Sequence, residues 1–141
     1  MSLRLAHLPG RLAAGALILD SGLNKRNADA ETAAGLHGMA AGTYPEVADM
    51  DPQEFVKNLS RAEIALGTAL LLPFVPTSVV AVALGAFSGG LLRMYLKTPG
   101  LTKEGSVRPT SDGLAIAKDV WLAGIAGSLL LDVLTPRRRK H

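Results

Sequence analysis

The chain has 141 residues, of which 48% are hydrophobic and only 19% charged, with a formal charge of +3. Soluble domains carry about 25% charged residues, so this balance points to a membrane protein, and the length leaves room for one domain. The absence of cysteine excludes disulfides, thiolate metal sites, iron–sulfur ligation and a dithiol relay within the chain.

At the N-terminus, Arg4 and Arg11 bracket the start of an apolar run, Leu12–Leu19. It has the outline of a signal peptide, but Asp20 closes the run where small neutral residues would be needed for cleavage. It reads as an uncleaved first span over about residues 8–24, with Pro9 suited to the first helical turn. Its exit, Ser21-Gly22-Leu23-Asn24-Lys25-Arg26, has the glycine and basic residues expected at a helix C-terminus. An Ala/Gly-rich stretch follows, with a short helix near Ala30–Ala40 capped by Asp29 and ended by Gly42, Tyr44 and Pro45.

Asp51, Pro52 and Glu54 then mark a strong helix start as N-cap, N1 and N3. This helix begins outside the bilayer and enters it near Glu63, forming a second span over about residues 60–75. Ile64–Leu92 holds no charged residue, which is too long for one buried strand or an ordinary core helix. Pro73 and Pro76 divide it, so a third span runs over about residues 77–96 and pairs with the second as a helical hairpin. Lys97–Ser111 is a polar loop; Ser111 or Asp112 caps a fourth span over about residues 113–134, which Thr135-Pro136 stops.

The expectation is therefore an all-α protein, an integral membrane four-helix bundle with a short extra helix in the first outer loop, in which lipid requires every backbone group to be satisfied internally. Four spans put both termini on one side, and Arg4, Arg11 and the cluster Arg137, Arg138, Arg139 and Lys140 place that side in the cytoplasm. The same cluster suits anionic lipid headgroups, at ~1 kcal/mol per basic residue near the surface. A four-residue basic tail directly after a span does not suit nucleic acid.

Ionisable groups within spans are the functional candidates, because each is costly in lipid. Asp20, Lys25, Glu63, Arg93, Lys118 and Asp119 all fall toward the outer side. They read either as a polar collar fixing helix register or as a vestibule for a quinone headgroup, an oxyanion or a proton. Small residues at intervals of three or four (Ala81, Gly85 and Gly89 before Arg93; Ala13 and Ala16 before Asp20; Gly124 and Ser128 before Asp132) are expected to face the bundle. Arg11 and Asp132 lie at matching depths and are expected to pair, while Trp121 and Tyr95 read as interfacial anchors. His37 stands without a second histidine or a carboxylate pattern, and no metal site, phosphate loop or nucleophile triad is found, so no catalytic residue is assigned.

Taken together, Arg11 with Gly15, the Ser21-Gly22-Leu23-Asn24-Lys25 exit, Glu63 with Gly67, and Ala115-Ile116-Ala117-Lys118-Asp119-Val120-Trp121-Leu122 resemble the DoxX family of small four-span bacterial membrane proteins. The resemblance implies a plasma-membrane bundle in which Lys25, Glu63, Lys118 and Asp119 occupy the family's polar positions. The long segment Ala28–Met50 departs from that pattern. Some relatives are subunits of thiosulfate:quinone oxidoreductase, and others are accessory or assembly factors. The expected function is a small or accessory subunit of a quinone-linked membrane oxidoreductase, with the bilayer and a redox protein as partners and a quinone as the ligand to consider. The alternatives are a structural or assembly factor for a larger membrane complex and, third, a small-solute transporter.

Overall fold

The computed structural model describes residues 4–97, 105 and 120–135. Among them there are five α-helices and no strand. A 3-10 turn, Leu5–His7, runs directly into α1, Leu8–Lys25, which has Pro9 in its first turn. Helix α2, Ala30–Thr43, starts at Asp29, whose carboxylate accepts the Thr32 backbone N–H at 2.7 Å. After a second 3-10 turn, Pro45–Val47, helix α3 spans Pro52–Leu71. Asp51 caps it by accepting the Glu54 N–H at 3.1 Å.

Helix α3 starts where Asp51, Pro52 and Glu54 were expected to start it, and it ends at Leu71, short of the residue 75 expected for the second span. Leu72 is already extended (φ −84°, ψ 117°), as the residue before a proline tends to be. Residues 73–76 form the turn, and α4 runs over Thr77–Lys97. The fifth helix, α5, is described over Val120–Leu134. By length and composition one described helix, α4, can cross a membrane, and α5 is a shorter apolar helix. Helix α1 carries Arg11, Asp20 and Lys25, and the first half of α3 carries Glu54, Lys57, Arg61 and Glu63.

Four of the helices alternate in direction. Gly22 of α1 meets Ser60 of α3 and Arg11 meets Leu70, so these two are antiparallel. The four-residue turn reverses the chain into α4, and contacts from Arg4 and His7 to Asp132 make α5 antiparallel to α1. The main packing unites α1 with α3 and α4 with α5, and α2 rests on α3 and α4. Ala14, Ile18, Leu70, Val80, Leu84, Leu122 and Ala126 form the core between the two pairs.

The α1–α3 seam is close enough for backbones to touch. A Cβ on Gly67 would lie 2.6 Å from the Leu19 nitrogen and 2.9 Å from the Gly15 oxygen. Across the same seam Ser60 Oγ donates to the Gly22 carbonyl at 2.7 Å. The small residues used here are not those expected. Ala13, Ala16 and Asp20 are exposed, as are Gly89, Arg93, Gly124 and Ser128. On α4 and α5 steps of four drift by about 40° each on a helix of 3.6 residues per turn, so those rows leave any straight seam, whereas Ala13, Ala16 and Asp20 keep a three-four spacing but lie on another face of α1. The buried rows alternate three and four: Gly15, Ile18 and Gly22 on α1, and Ser60, Glu63, Gly67 and Leu70 on α3. The α4 row Ala81, Leu84, Ser88 and Tyr95 behaves the same way, which buries Tyr95 instead of leaving it as an interfacial anchor.

Arg11 also differs from expectation. It is buried, and all five of its N–H groups are engaged by the end of α3 and the turn beyond. Nε donates to the Leu70 carbonyl at 3.0 Å, and Nη2 to those of Ala69 at 3.0 Å and Leu72 at 2.8 Å. Nη1 donates to the Val75 carbonyl at 3.0 Å and Thr77 Oγ1 at 3.1 Å. A helix stopped by proline leaves carbonyls without intrahelical donors, and the guanidinium fork supplies them. No donor remains for Asp132. That carboxylate is held by Arg4 Nη1 and His7 Nε2, both at 2.6 Å.

Candidate functional site

The two helix pairs do not close on each other along their whole length. Toward the C-terminal end of α1 they leave a cavity of about 580 Å³, bounded across that end by α2. Its walls are almost wholly apolar, with Ile18, Leu59, Phe87, Met94 and Leu122 among them. Its polar groups converge on one wall: Ser21 and Lys25 from α1 and Glu63 from α3. A pocket of this size with a few convergent polar groups is the usual form of a small-molecule site.

The three polar side chains form a closed triangle. Lys25 Nζ lies 3.0 Å from both carboxylate oxygens of Glu63 and donates to Ser21 Oγ at 2.6 Å. Ser21 Oγ in turn donates to Glu63 Oε2 at 3.2 Å. The Glu63 side chain is 4% exposed and that of Lys25 20%, so the carboxylate is confined while the ammonium reaches partly outward. Local spacing explains the α1 half, because Ser21 and Lys25 are four apart and share a helix face. Glu63 joins them because Gly22 lets α3 approach: a Cβ there would meet the Ile64 nitrogen at 2.9 Å.

Of the six outer polar residues proposed from sequence, the structure brings Lys25 and Glu63 together. Asp20 is exposed and accepts from Asn24 Nδ2 at 3.2 Å, one turn along its own helix. Arg93 is exposed too, with its guanidinium carbon 5.2 Å from the centroid of the Tyr44 ring. Tyr44 donates its hydroxyl to the Gly90 carbonyl at 3.0 Å, fastening the end of α2 to α4. The glycine row before Arg93 thus does not lead it inward. Lys118 and Asp119 lie outside the described residues, as do the headgroup candidates Arg137, Arg138, Arg139 and Lys140.

His37 holds the chain after α2, with Nε2 2.7 Å from the Val47 carbonyl and its ring edge-on to Phe55 at 5.6 Å. Trp121 is 68% exposed at the mouth of the cavity. Among the described residues no group of three or more His, Asp or Glu is placed to hold a metal ion.

Sequence reasoning missed Ser21, the bridging hydroxyl, although its spacing of four from Lys25 was available as a signal. It also missed a hydrogen-bonded chain at the opposite end. There Asp132 Oδ2 meets His7 Nε2, and His7 Nδ1 lies 3.2 Å from Thr77 Oγ1, which accepts from Arg11. These residues come from three separate stretches of chain, and no local pattern links them.

No family model, curated protein or solved structure matches the chain.

Proposed function

We propose that the protein is a four-span membrane bundle with both termini in the cytoplasm, acting as a small quinone-proximal subunit of a bacterial membrane oxidoreductase in the manner of the DoxX family. The observation that carries this reading is the apolar cavity ending on Lys25, Ser21 and Glu63. A quinone is an apolar body with carbonyl acceptors, and the Lys25 ammonium is a donor at the one polar wall. Large apolar side chains exposed on α1 (Leu12, Leu17, Leu23), α4 (Val79, Val82, Leu96) and α5 (Leu131, Leu134) favour a lipid environment. The polar first half of α3 suits a helix that starts outside the bilayer.

A purely structural or assembly role is favoured by a different observation, the mutual saturation of Lys25, Ser21 and Glu63. The two readings separate in one set of measurements. The protein in lipid nanodiscs is titrated with decylubiquinone, and its complexes from native membranes are isolated in mild detergent. The redox reading expects saturable binding that weakens in a folded Lys25→Met variant, together with an oxidoreductase that co-purifies. The structural reading expects neither. It expects instead that the exchange Lys25→Glu with Glu63→Lys recovers the folded yield lost by either change alone. Reporter fusions after Pro76 should read as cytoplasmic and those near Asp49 as external; the reverse result would overturn the orientation.

A further inference from the structure

Helices α1 and α5 are held together at one end and apart at the other. At the start of α1, Arg4 and His7 both bind Asp132 at 2.6 Å, and a Cβ on Gly10 would lie 3.2 Å from Ile125 Cγ2. Beyond that point the cavity separates them. Ala13 and Leu17 of α1 and Trp121 of α5 line it and are nevertheless exposed, so they form the lips of an opening on the side of the molecule. Leu17 is 59% exposed and Trp121 68%, so two large hydrophobic side chains frame the opening.

The inner end of the cavity has a matching character. Lys25 is neutralised by Glu63, and Ser21 is neutral, so among the described residues the polar wall carries no net charge to draw an anion or a cation. The other described lining residues are apolar. An occupant must therefore have a head without net charge and a hydrocarbon portion leading away from it.

Resting on the membrane reading above, we propose that the cavity opens laterally into the bilayer between α1 and α5, and that it takes the hydrocarbon chain of a lipid-soluble molecule whose head has no net charge. The head lies against Lys25, Ser21 and Glu63, and the chain passes between Leu17 and Trp121 into the lipid. The Arg4–His7–Asp132 contact keeps the far ends of the helices joined and confines the opening to one half of the bundle.

The chain's single tryptophan and lack of cysteine make the proposal directly measurable. In nanodiscs of phosphatidylcholine brominated on its acyl chains, Trp121 emission reports the lip. In a Trp121→Phe background, Phe87→Trp reports the interior, and Met94→Trp replaces it if that variant does not fold. A second arm uses unbrominated nanodiscs with added decylubiquinone. The Leu17→Cys, Trp121→Cys pair, carrying the interior reporter, is bridged with a cleavable bifunctional maleimide to close the opening.

The expected result is loss of interior emission comparable to that of Trp121, abolished by the bridge and regained on cleavage. Quenching by the brominated lipid alone identifies bilayer chains as the occupant; the opening then stands and the quinone reading of the site fails. Quenching by decylubiquinone alone identifies a quinone as the occupant. An interior reporter quenched in neither arm, or quenched equally with the bridge in place, overturns the lateral opening.

Discussion

Replacing Gly67 with alanine should loosen the whole α1–α3 seam, whereas the same change at Gly89 should not. At Gly67 the new methyl would sit 2.6 Å from the Leu19 nitrogen, about 0.8 Å short of the 3.4 Å at which ordinary contact begins. The obstructing atoms are backbone, including the Gly15 oxygen at 2.9 Å, so no rotamer change relieves them. The helices must part. A gap of 0.5–1 Å removes about a quarter to a half of each dispersion contact along the seam, and overpacking of this kind costs about 1–3 kcal/mol. Because backbone cannot yield, Gly67→Ala belongs near the upper end of that range, offset by about 0.5–1 kcal/mol of helix preference for alanine. The expected net loss is about 2 kcal/mol.

At Gly89 nothing lies within 4 Å of the added methyl, so only the helix preference remains and stability should hold or rise slightly. Both variants can be followed in dodecyl maltoside by helical circular dichroism during chemical unfolding. A Gly67→Ala protein as stable as the unaltered one, or a Gly89→Ala protein clearly weaker, would refute the assignment of the inner faces.

Three further outcomes follow from the polar contacts. Arg11→Met strips guanidinium donors from the carbonyls of Ala69, Leu70, Leu72 and Val75, and a buried acceptor left without a donor costs about 1–3 kcal/mol; an unfolding midpoint unchanged from the parent would contradict its capping role. Lys25→Met should destabilise more than Glu63→Gln, because it strands a carboxylate that is 4% exposed, whereas the partly exposed ammonium can turn to water; comparing the two unfolding curves tests the order. The Thr32 backbone N–H and hydroxyl hold the Asp29 carboxyl below its ordinary range. A depressed folded value means that its support of α2 is present above the unfolded value and is lost as pH falls through the folded one. Protection of the amides at the start of α2, relative to their intrinsic exchange at each pH, should therefore fall under acid, and Asp29→Asn should flatten that response.

Helix existence and most helix ends are legible in the sequence because their causes are local. The Asp29 and Asp51 caps depend on side chains within three residues of the amides they bind, and the α3–α4 break depends on the restricted backbone of Pro73 and Pro76. Ionisable residues in apolar stretches also announce themselves, which brought Lys25 and Glu63 forward as candidates. Which of those groups meet is a tertiary matter. Lys25 reaches Glu63, 38 positions away, because Gly22 brings two backbones close, while Asp20 and Arg93, read as members of the same cluster, turn outward. Arg11 was matched to Asp132 by depth alone, but its five donors are consumed by carbonyls that exist as acceptors only once α3 ends and the turn folds beside it. Small residues spaced by three or four lie on several helix faces at once, and only contact between helices selects one. Backbone torsion and capping are settled within a few residues of chain, whereas the pairing of buried polar groups waits on helix register, which the closest backbone approach decides.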